Sequence, residues 1–259
     1  MAALALAPLA IAIAYAGGWL WTALVTLAVI GLYLEWLTIV GAAHVKREAV
    51  GGSFALVVAG LLLALGRVDI ALMILALGLI GTWFGARGQR LWTAAGFFYA
   101  AAAEIASVLV RVDQVWGFVA LMFVLLIVWV TDIGGYFAGR GIGGPKLWPR
   151  VSPKKTWAGA IGGFVASLAV AAGFVALDFG AAAWLVPLGA ILSIVSQLGD
   201  LFESAVKRRF GVKDSSHLIP GHGGLMDRLD GFVAAIVLAA ILGFVRGGMD
   251  GIGRGLMVW

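Results

Sequence analysis

Nine apolar runs, joined by short polar connections, dominate the chain: residues 2–16, 19–40, 53–66, 69–85, 91–110, 115–137, 157–177, 182–202 and 231–245. Runs of this length with so little charge are membrane spans. In hydrocarbon each backbone amide and carbonyl must find its partner within its own segment, so the spans are helical. The first run is short for a crossing and reads as a half-span, or as a segment pairing with the second across Gly17 and Gly18. The expected architecture is an all-α polytopic integral membrane protein with about nine transmembrane helices. Composition removes the alternatives. Hydrophobic residues are 63% of the 259 and charged residues 12%, which excludes disorder, and the absence of cysteine excludes a disulfide scaffold and thiol chemistry. Ala14-Tyr15-Ala16 resembles a leader-cleavage site, but no Lys or Arg precedes the run, so it reads as the first membrane segment. With no repeat, linker or low-complexity stretch, residues 1–259 read as a single domain.

The basic residues are distributed unequally between alternate connections. Lys46, Arg47, Arg87, Arg90, Arg140, Lys146, Arg150, Lys154, Lys155, Lys207, Arg208, Arg209, Lys213 and Arg228 all follow even-numbered runs, whereas Arg67, Arg111, Arg246 and Arg254 fall on the other side. The positive-inside rule makes the even-numbered connections cytoplasmic. The formal charge of +5 is therefore a topological signal and not a nucleic-acid footprint. Trp19, Trp21, Trp36, Trp83, Trp92 and Trp116 sit near run ends, where interfacial aromatics are expected.

Two cytoplasmic segments, 132–157 and 200–231, hold nearly all the charge that a scaffold would not need. Asp200 ends a long apolar run, where an ionised carboxylate is costly unless paired or metal-bound. If that helix continues, Glu203, Ser204 and Lys207 share its face; Asp227 and Asp230 share a face in the same way at the start of the last span. Three carboxylates on two helix ends, with no cysteine and only three histidines, suit a hard cation with oxygen ligands, magnesium being the natural candidate. The plain alternative is that Asp200 and Asp227 only pair with Lys207 and Arg228.

Lys154 and Lys155, with Ser152 and Thr156 beside them, precede a helix, whose amino terminus favours anions. Lys207, Arg208 and Lys213 are expected to face the same cytoplasmic volume. The glycines at 134, 135, 139, 141, 143 and 144, and those flanking His222 at 221, 223 and 224, read as turns that let backbone amides approach phosphate oxygens. Together these residues describe a metal-dependent phosphate site at the membrane edge, without identifying a nucleotide or a lipid. Two intramembrane acids stand outside it. Glu35, near a run end, reads as interfacial; Glu104, mid-span, reads either as a functional carboxylate or as a hydrogen-bonded packing residue.

The stretch from Ser204 to Asp230 resembles the signature of the phosphatidate cytidylyltransferase, or CDP-diacylglycerol synthase, family. It carries Ser204, Lys207-Arg208, Lys213-Asp214, His222-Gly223-Gly224, Asp227-Arg228 and Asp230. Asp132, Gly139-Arg140 and the Ser152 to Thr156 stretch are similar to that family's second cytoplasmic segment. The likeness is sharp over about 100 residues and otherwise agrees in size and hydropathy. The resemblance implies cytidylyl transfer from CTP to phosphatidic acid, giving CDP-diacylglycerol and pyrophosphate; the compact single domain suits a bacterial inner membrane, with the site on the cytoplasmic face that the basic residues mark. The resemblance assigns Asp200, Asp227, Asp230 and Asp132 to metal, with magnesium in a two-cation site. Ser204, Lys207, Arg208, Lys213, Asp214, His222 and Arg228 become catalytic residues, and Ser152, Lys154, Lys155, Thr156, Gly223 and Gly224 bind substrate. A homodimer is implied too, with the small residues 100–103 as a helix-packing surface. Two other readings stay open at this stage: a CTP-dependent lipid-alcohol kinase of the dolichol kinase type, and an ion-coupled transporter using Asp132 and Glu104.

Overall fold

A computed structural model of the chain describes residues 2–42, 46–86, 88–216 and 223–258, the side chains of residues 2–7 excepted. Arg87 and His222 lie outside the described residues. The element order is α1 (Ala2–Ala16), α2 (Gly18–Ile39), α3 (Lys46–Ala64), α4 (Val68–Gly85), α5 (Arg90–Val112), α6 (Gly117–Gly141), β1 (Lys146–Trp148), β2 (Ser152–Thr156), α7 (Trp157–Ala176), α8 (Ala182–Arg209), α9 (Met226–Gly247), a 3₁₀ turn (Met249–Gly251) and α10 (Ile252–Met257). The protein is thus a polytopic membrane protein built of helices, with a short antiparallel hairpin of β1 and β2.

Among the described residues eight helices, α2 to α9, are long and apolar enough to cross a membrane. The nine runs of the sequence suggest one more. The difference is α1, which at 15 residues extends only ~22 Å, short of the ~30 Å hydrocarbon core. It is cut from α2 at Gly17 and Gly18, both left-handed, with φ of 66° and 55°.

The helices also outlast their apolar runs, and the extensions carry the polar residues. α6 continues past residue 137 to Gly141, α8 continues past 202 to Arg209, and α9 begins at Met226, ahead of the run at 231.

The chain divides into two compact units: residues 1–108 with 214–227, and residues 109–213 with 228–259. In the first unit α2 packs on α1 and α3, and α3 on α4. Its core is aromatic. Trp36 is 1% exposed, donates from Nε1 to the Trp92 carbonyl at 2.7 Å and stacks on Tyr99, while Tyr33 meets Phe97 edge-on. Trp21 is also buried and donates to the Ser107 carbonyl at 2.9 Å, so Trp21 and Trp36 are core residues, whereas Trp19 and Trp83 are exposed as interfacial rings would be. Glu104 is fully buried and accepts a 2.8 Å bond from the Thr26 hydroxyl. Ala100, Ala101 and Ala103 are buried within the chain as well, so they pack its own helices and offer no surface for a second copy.

In the second unit α6, α7 and α8 pack against one another, and α10 against α6. The α6–α7 contact is made backbone to backbone. A Cβ on Gly134 would lie 2.7 Å from Ala166 Cβ, one on Gly159 would lie 2.8 Å from the Gly135 carbonyl, and one on Gly163 would collide with the Thr131 carbonyl. The glycines at 134, 135, 139 and 141 are therefore helical, and three of them abut α7 or its cap; only Gly143 and Gly144 occupy a left-handed loop. The expected phosphate-cradling turn over 134–141 is instead a helix-packing stripe, because small residues spaced along one helix face let a neighbouring backbone approach.

Candidate active site

The second unit gathers acids from three long helices: Asp132 and Asp200 in the second halves of α6 and α8, and Asp230 early in α9. Thr131 donates to the Ile127 carbonyl at 2.7 Å and lies 2.9 Å from the Ser193 hydroxyl, tying α6 to α8 one residue before Asp132. Gly199 and Gly231 do the same for α8 and α9. A Cβ on Gly199 would lie 2.8 Å from the Asp230 carbonyl, and one on Gly231 would lie 2.8 Å from Ser196 Oγ. Each of these glycines adjoins an aspartate in sequence, and their lack of side chains is what brings Asp200 and Asp230 close. Asp132, Asp200 and Asp230 are near enough to repel one another, and Lys155 is near enough to offset part of that repulsion.

Lys155 reaches the cluster from β2 and forms an ion pair with Asp200 Oδ2. Ser204, one turn on, lies 3.4 Å from Asp200 Oδ1. Thr156, buried, caps α7 by accepting from the Gly159 amide at 3.1 Å, so the stretch that carries Lys155 is anchored directly to the helix it precedes. Glu203 is fully buried beside Asp230, and Lys207 Nζ lies 3.1 Å from Glu203 Oε1. Asp200, Glu203, Ser204 and Lys207 do share a helix face, as the spacing requires, but the pairing differs from the plain alternative: Asp200 goes to Lys155, and Lys207 is turned inward to Glu203. Exposure is graded across the acids, from buried Glu203 through half-buried Asp200 and Asp230 to exposed Asp132, so the cluster opens outward.

Other cations stand at the exposed edges. Lys154, Arg208, Lys213 and Arg228 are all exposed, Ser152 is half-buried, and Arg208 donates to the Val212 carbonyl at 3.1 Å, closing the carboxyl end of α8. Among the described residues no three acids or histidines converge on one point as a ready ligand set. In donor type and charge, however, the cluster fits a hard cation. Asp132, Asp200 and Asp230 offer carboxylate oxygens whose repulsion is only partly offset, by the one Lys155 ammonium that rests on Asp200.

The first unit contains the remaining signature residues. Asp227 Oδ2 accepts from the Ser215 amide at 3.2 Å, the Ser215 hydroxyl at 3.0 Å and the Gly224 amide at 2.9 Å. The Gly224 amide is thus directed at Asp227. Gly223, at φ 79°, would place a Cβ 3.0 Å from the same oxygen. Asp214 is exposed. Glu35, read from sequence as interfacial, is 2% exposed and hydrogen bonded to Ser215, Ser216, Leu225 and Met226. Its position near the end of α2 misleads, because Ser215, Ser216, Leu225 and Met226 close over it. The only sequence cue to that role is an acid standing unaccompanied in an apolar run.

Comparison with known proteins bears on what such a site does. Residues 1–245 match the model of the cytidylyltransferase family. A phosphatidate cytidylyltransferase of Brucella suis biovar 1 (strain 1330) is 45% identical over 224 residues, covering 83% of this chain and 81% of the relative. A second, from Brucella melitensis biotype 1, is 44% identical over the same length. A phosphatidate cytidylyltransferase of Staphylococcus saprophyticus is 48% identical over 124 residues, 47% of this chain and 48% of the relative.

Proposed function

The chain belongs to the cytidylyltransferase family, and on that premise we propose that it transfers a cytidylyl group from CTP to phosphatidic acid, leaving CDP-diacylglycerol in the membrane and releasing pyrophosphate. The observation that carries the reading is the carboxylate cluster of Asp132, Asp200 and Asp230 with Lys155 among them, set on membrane helices where their apolar runs give way to polar segments. A lipid phosphate and a nucleotide triphosphate meet at such an edge, and the chemistry needs mainly charge and alignment.

In the proposed step a phosphate oxygen of phosphatidic acid attacks the α-phosphorus of CTP in line. A new P–O bond forms as the bond from the α-phosphorus to the bridging oxygen breaks, and the β,γ-pyrophosphate departs. The attacking oxygen is already an anion, so no general base is required. Lys155 binds a phosphate oxygen, and Lys154, Arg208, Lys213 and Arg228 add positive charge at the exposed edge for the triphosphate and the departing pyrophosphate. Ser204 and Lys207 hold the acids in place, Ser204 beside Asp200 and Lys207 against Glu203. Magnesium, with a second cation, would be held by Asp132, Asp200 and Asp230 and would supply Lewis-acid charge to the phosphates when bound. His222 we assign to substrate positioning.

The distribution of basic residues supports placing this edge on the cytoplasmic side of a bacterial inner membrane, and the family likeness supports a homodimer. The test is product analysis with purified full-length protein in mixed micelles containing magnesium, phosphatidic acid and CTP. Pyrophosphate appearing with a cytidine-labelled lipid is the expected outcome. CDP formed with a polyprenol, and no pyrophosphate with phosphatidic acid, would move the protein to the lipid-alcohol kinases.

A further inference from the structure

Glu35 lies outside both segments that the sequence marks as functional, yet its carboxylate takes four donors. Oε1 accepts from the Ser216 hydroxyl at 2.6 Å and the Leu225 amide at 2.8 Å; Oε2 accepts from the Ser215 hydroxyl at 2.8 Å and the Met226 amide at 2.8 Å. These donors come from both sides of residues 217–222. Two of them, the Leu225 and Met226 amides, stand at the start of α9, where the first turn has no acceptor of its own. Glu35 therefore caps α9 from a different helix, across 190 and 191 residues of sequence.

The same contacts reach Asp227. The Ser215 hydroxyl lies within hydrogen-bond distance of both Glu35 Oε2 and Asp227 Oδ2, and its single hydrogen is shared between two carboxylates. Gly224 threads between them. A Cβ there would collide with Ser215 Oγ and lie 2.6 and 2.9 Å from the two Glu35 oxygens. Leu225 is seated on α2 as well, since a Cβ on Gly31 would lie 2.8 Å from its Cδ2. Glu35, Ser215, Gly224 and Asp227 thus form one interlocked set.

We propose that Glu35 is a positioning residue for the transfer reaction: by gripping the chain before and after residues 217–222, it fixes Asp227 at the start of α9. The inference rests on the functional reading above for its catalytic consequence, and on geometry alone for the clamp. Glutamine cannot replace it. Each carboxylate oxygen takes two donors, so an amide in either orientation sets its NH₂ against two of them.

The test compares purified full-length wild type, Glu35→Gln, Ser216→Ala and the double variant in detergent micelles. The readouts are peptide hydrogen exchange and the kcat and KM of pyrophosphate release with magnesium, CTP and phosphatidic acid. Glu35→Gln is expected to raise exchange at the Leu225 and Met226 amides, leave α3 and α4 unchanged, and lower kcat by about tenfold or more with KM for CTP within about threefold. The double variant is expected to be no worse than Glu35→Gln, because both changes break one clamp. Unchanged local exchange with kcat within about twofold of wild type overturns the proposal, and so do additive losses. If Glu35→Gln does not fold, Ser216→Ala decides: a local rise in exchange with reduced kcat supports the clamp, and neither change overturns it. A wild type that releases no pyrophosphate removes the transfer reaction and with it the catalytic half of the inference, while the exchange data still accept or reject the clamp.

Discussion

The two units treat their acids in opposite ways. In the first, Glu35 has both carboxylate oxygens filled by amides and hydroxyls of its own chain, four donors in all, while Asp227 takes three contacts on Oδ2. In the second, Asp132, Asp200 and Asp230 face one another with a single lysine among them, and Glu203 is buried against Asp230 with Lys207 for balance. Neutral donors that saturate a carboxylate make it a structural anchor, because nothing is left for a ligand to supply. Carboxylates held in mutual repulsion are a cost to the fold, and such costs persist where a bound cation or substrate relieves them. The contrast separates the acids that build this protein from those that act in it, which burial alone does not do: Glu35 and Glu203 are equally hidden.

The comparison can be broken at several points. The largest effect is expected from Asp200→Asn, which should cost about 100-fold or more in pyrophosphate release with the helical content unchanged. Retained turnover at saturating magnesium would take Asp200 out of the site. Lys155→Met should follow, with a loss of about 10- to 100-fold in kcat/KM, because it removes the cation that reaches the acids from β2. An equal loss on Lys154→Met would show that the strand contributes bulk charge and no specific contact. Gly163→Ala forces a side chain into the Thr131 carbonyl and should destabilise the α6–α7 pair by about 1–3 kcal/mol, read as a lower Tm. A neutral result there would mean that α6 and α7 can part without loss. The smallest effect belongs to Lys154→Ala. As an exposed edge charge it should raise KM by about two- to fivefold, and that increase should fade as salt screens the field.

Much of this was legible before any coordinates. Each apolar run became a helix, since lipid leaves an apolar segment no other way to satisfy its backbone. The face shared by Asp200, Glu203, Ser204 and Lys207 follows from helical spacing once α8 is known to continue. What sequence could not give was partner choice. That Asp200 meets Lys155, 45 residues away, and that Glu35 meets Leu225 and Met226, depends on tertiary packing that has no local periodicity. The glycines show the ambiguity most clearly. A cluster after Asp132 suits a phosphate loop and a helix-packing stripe equally well in composition, and only the presence of α7 against Gly134, Gly135 and Gly139 decides between them. Gly199 and Gly231 carried a usable cue, since each adjoins an aspartate at a span end.

The most direct test of the contrast pairs turnover with stability in Asp132→Asn and Glu35→Gln, measured as pyrophosphate release and Tm of the purified full-length protein without substrate. Asp132→Asn should lose turnover while Tm stays level or rises, because one of three repelling charges is gone. Glu35→Gln should lower Tm, because buried donors lose their acceptor. A drop in Tm for Asp132→Asn as large as that for Glu35→Gln, or full turnover in Asp132→Asn, would contradict the assignment of the second unit's acids to the reaction.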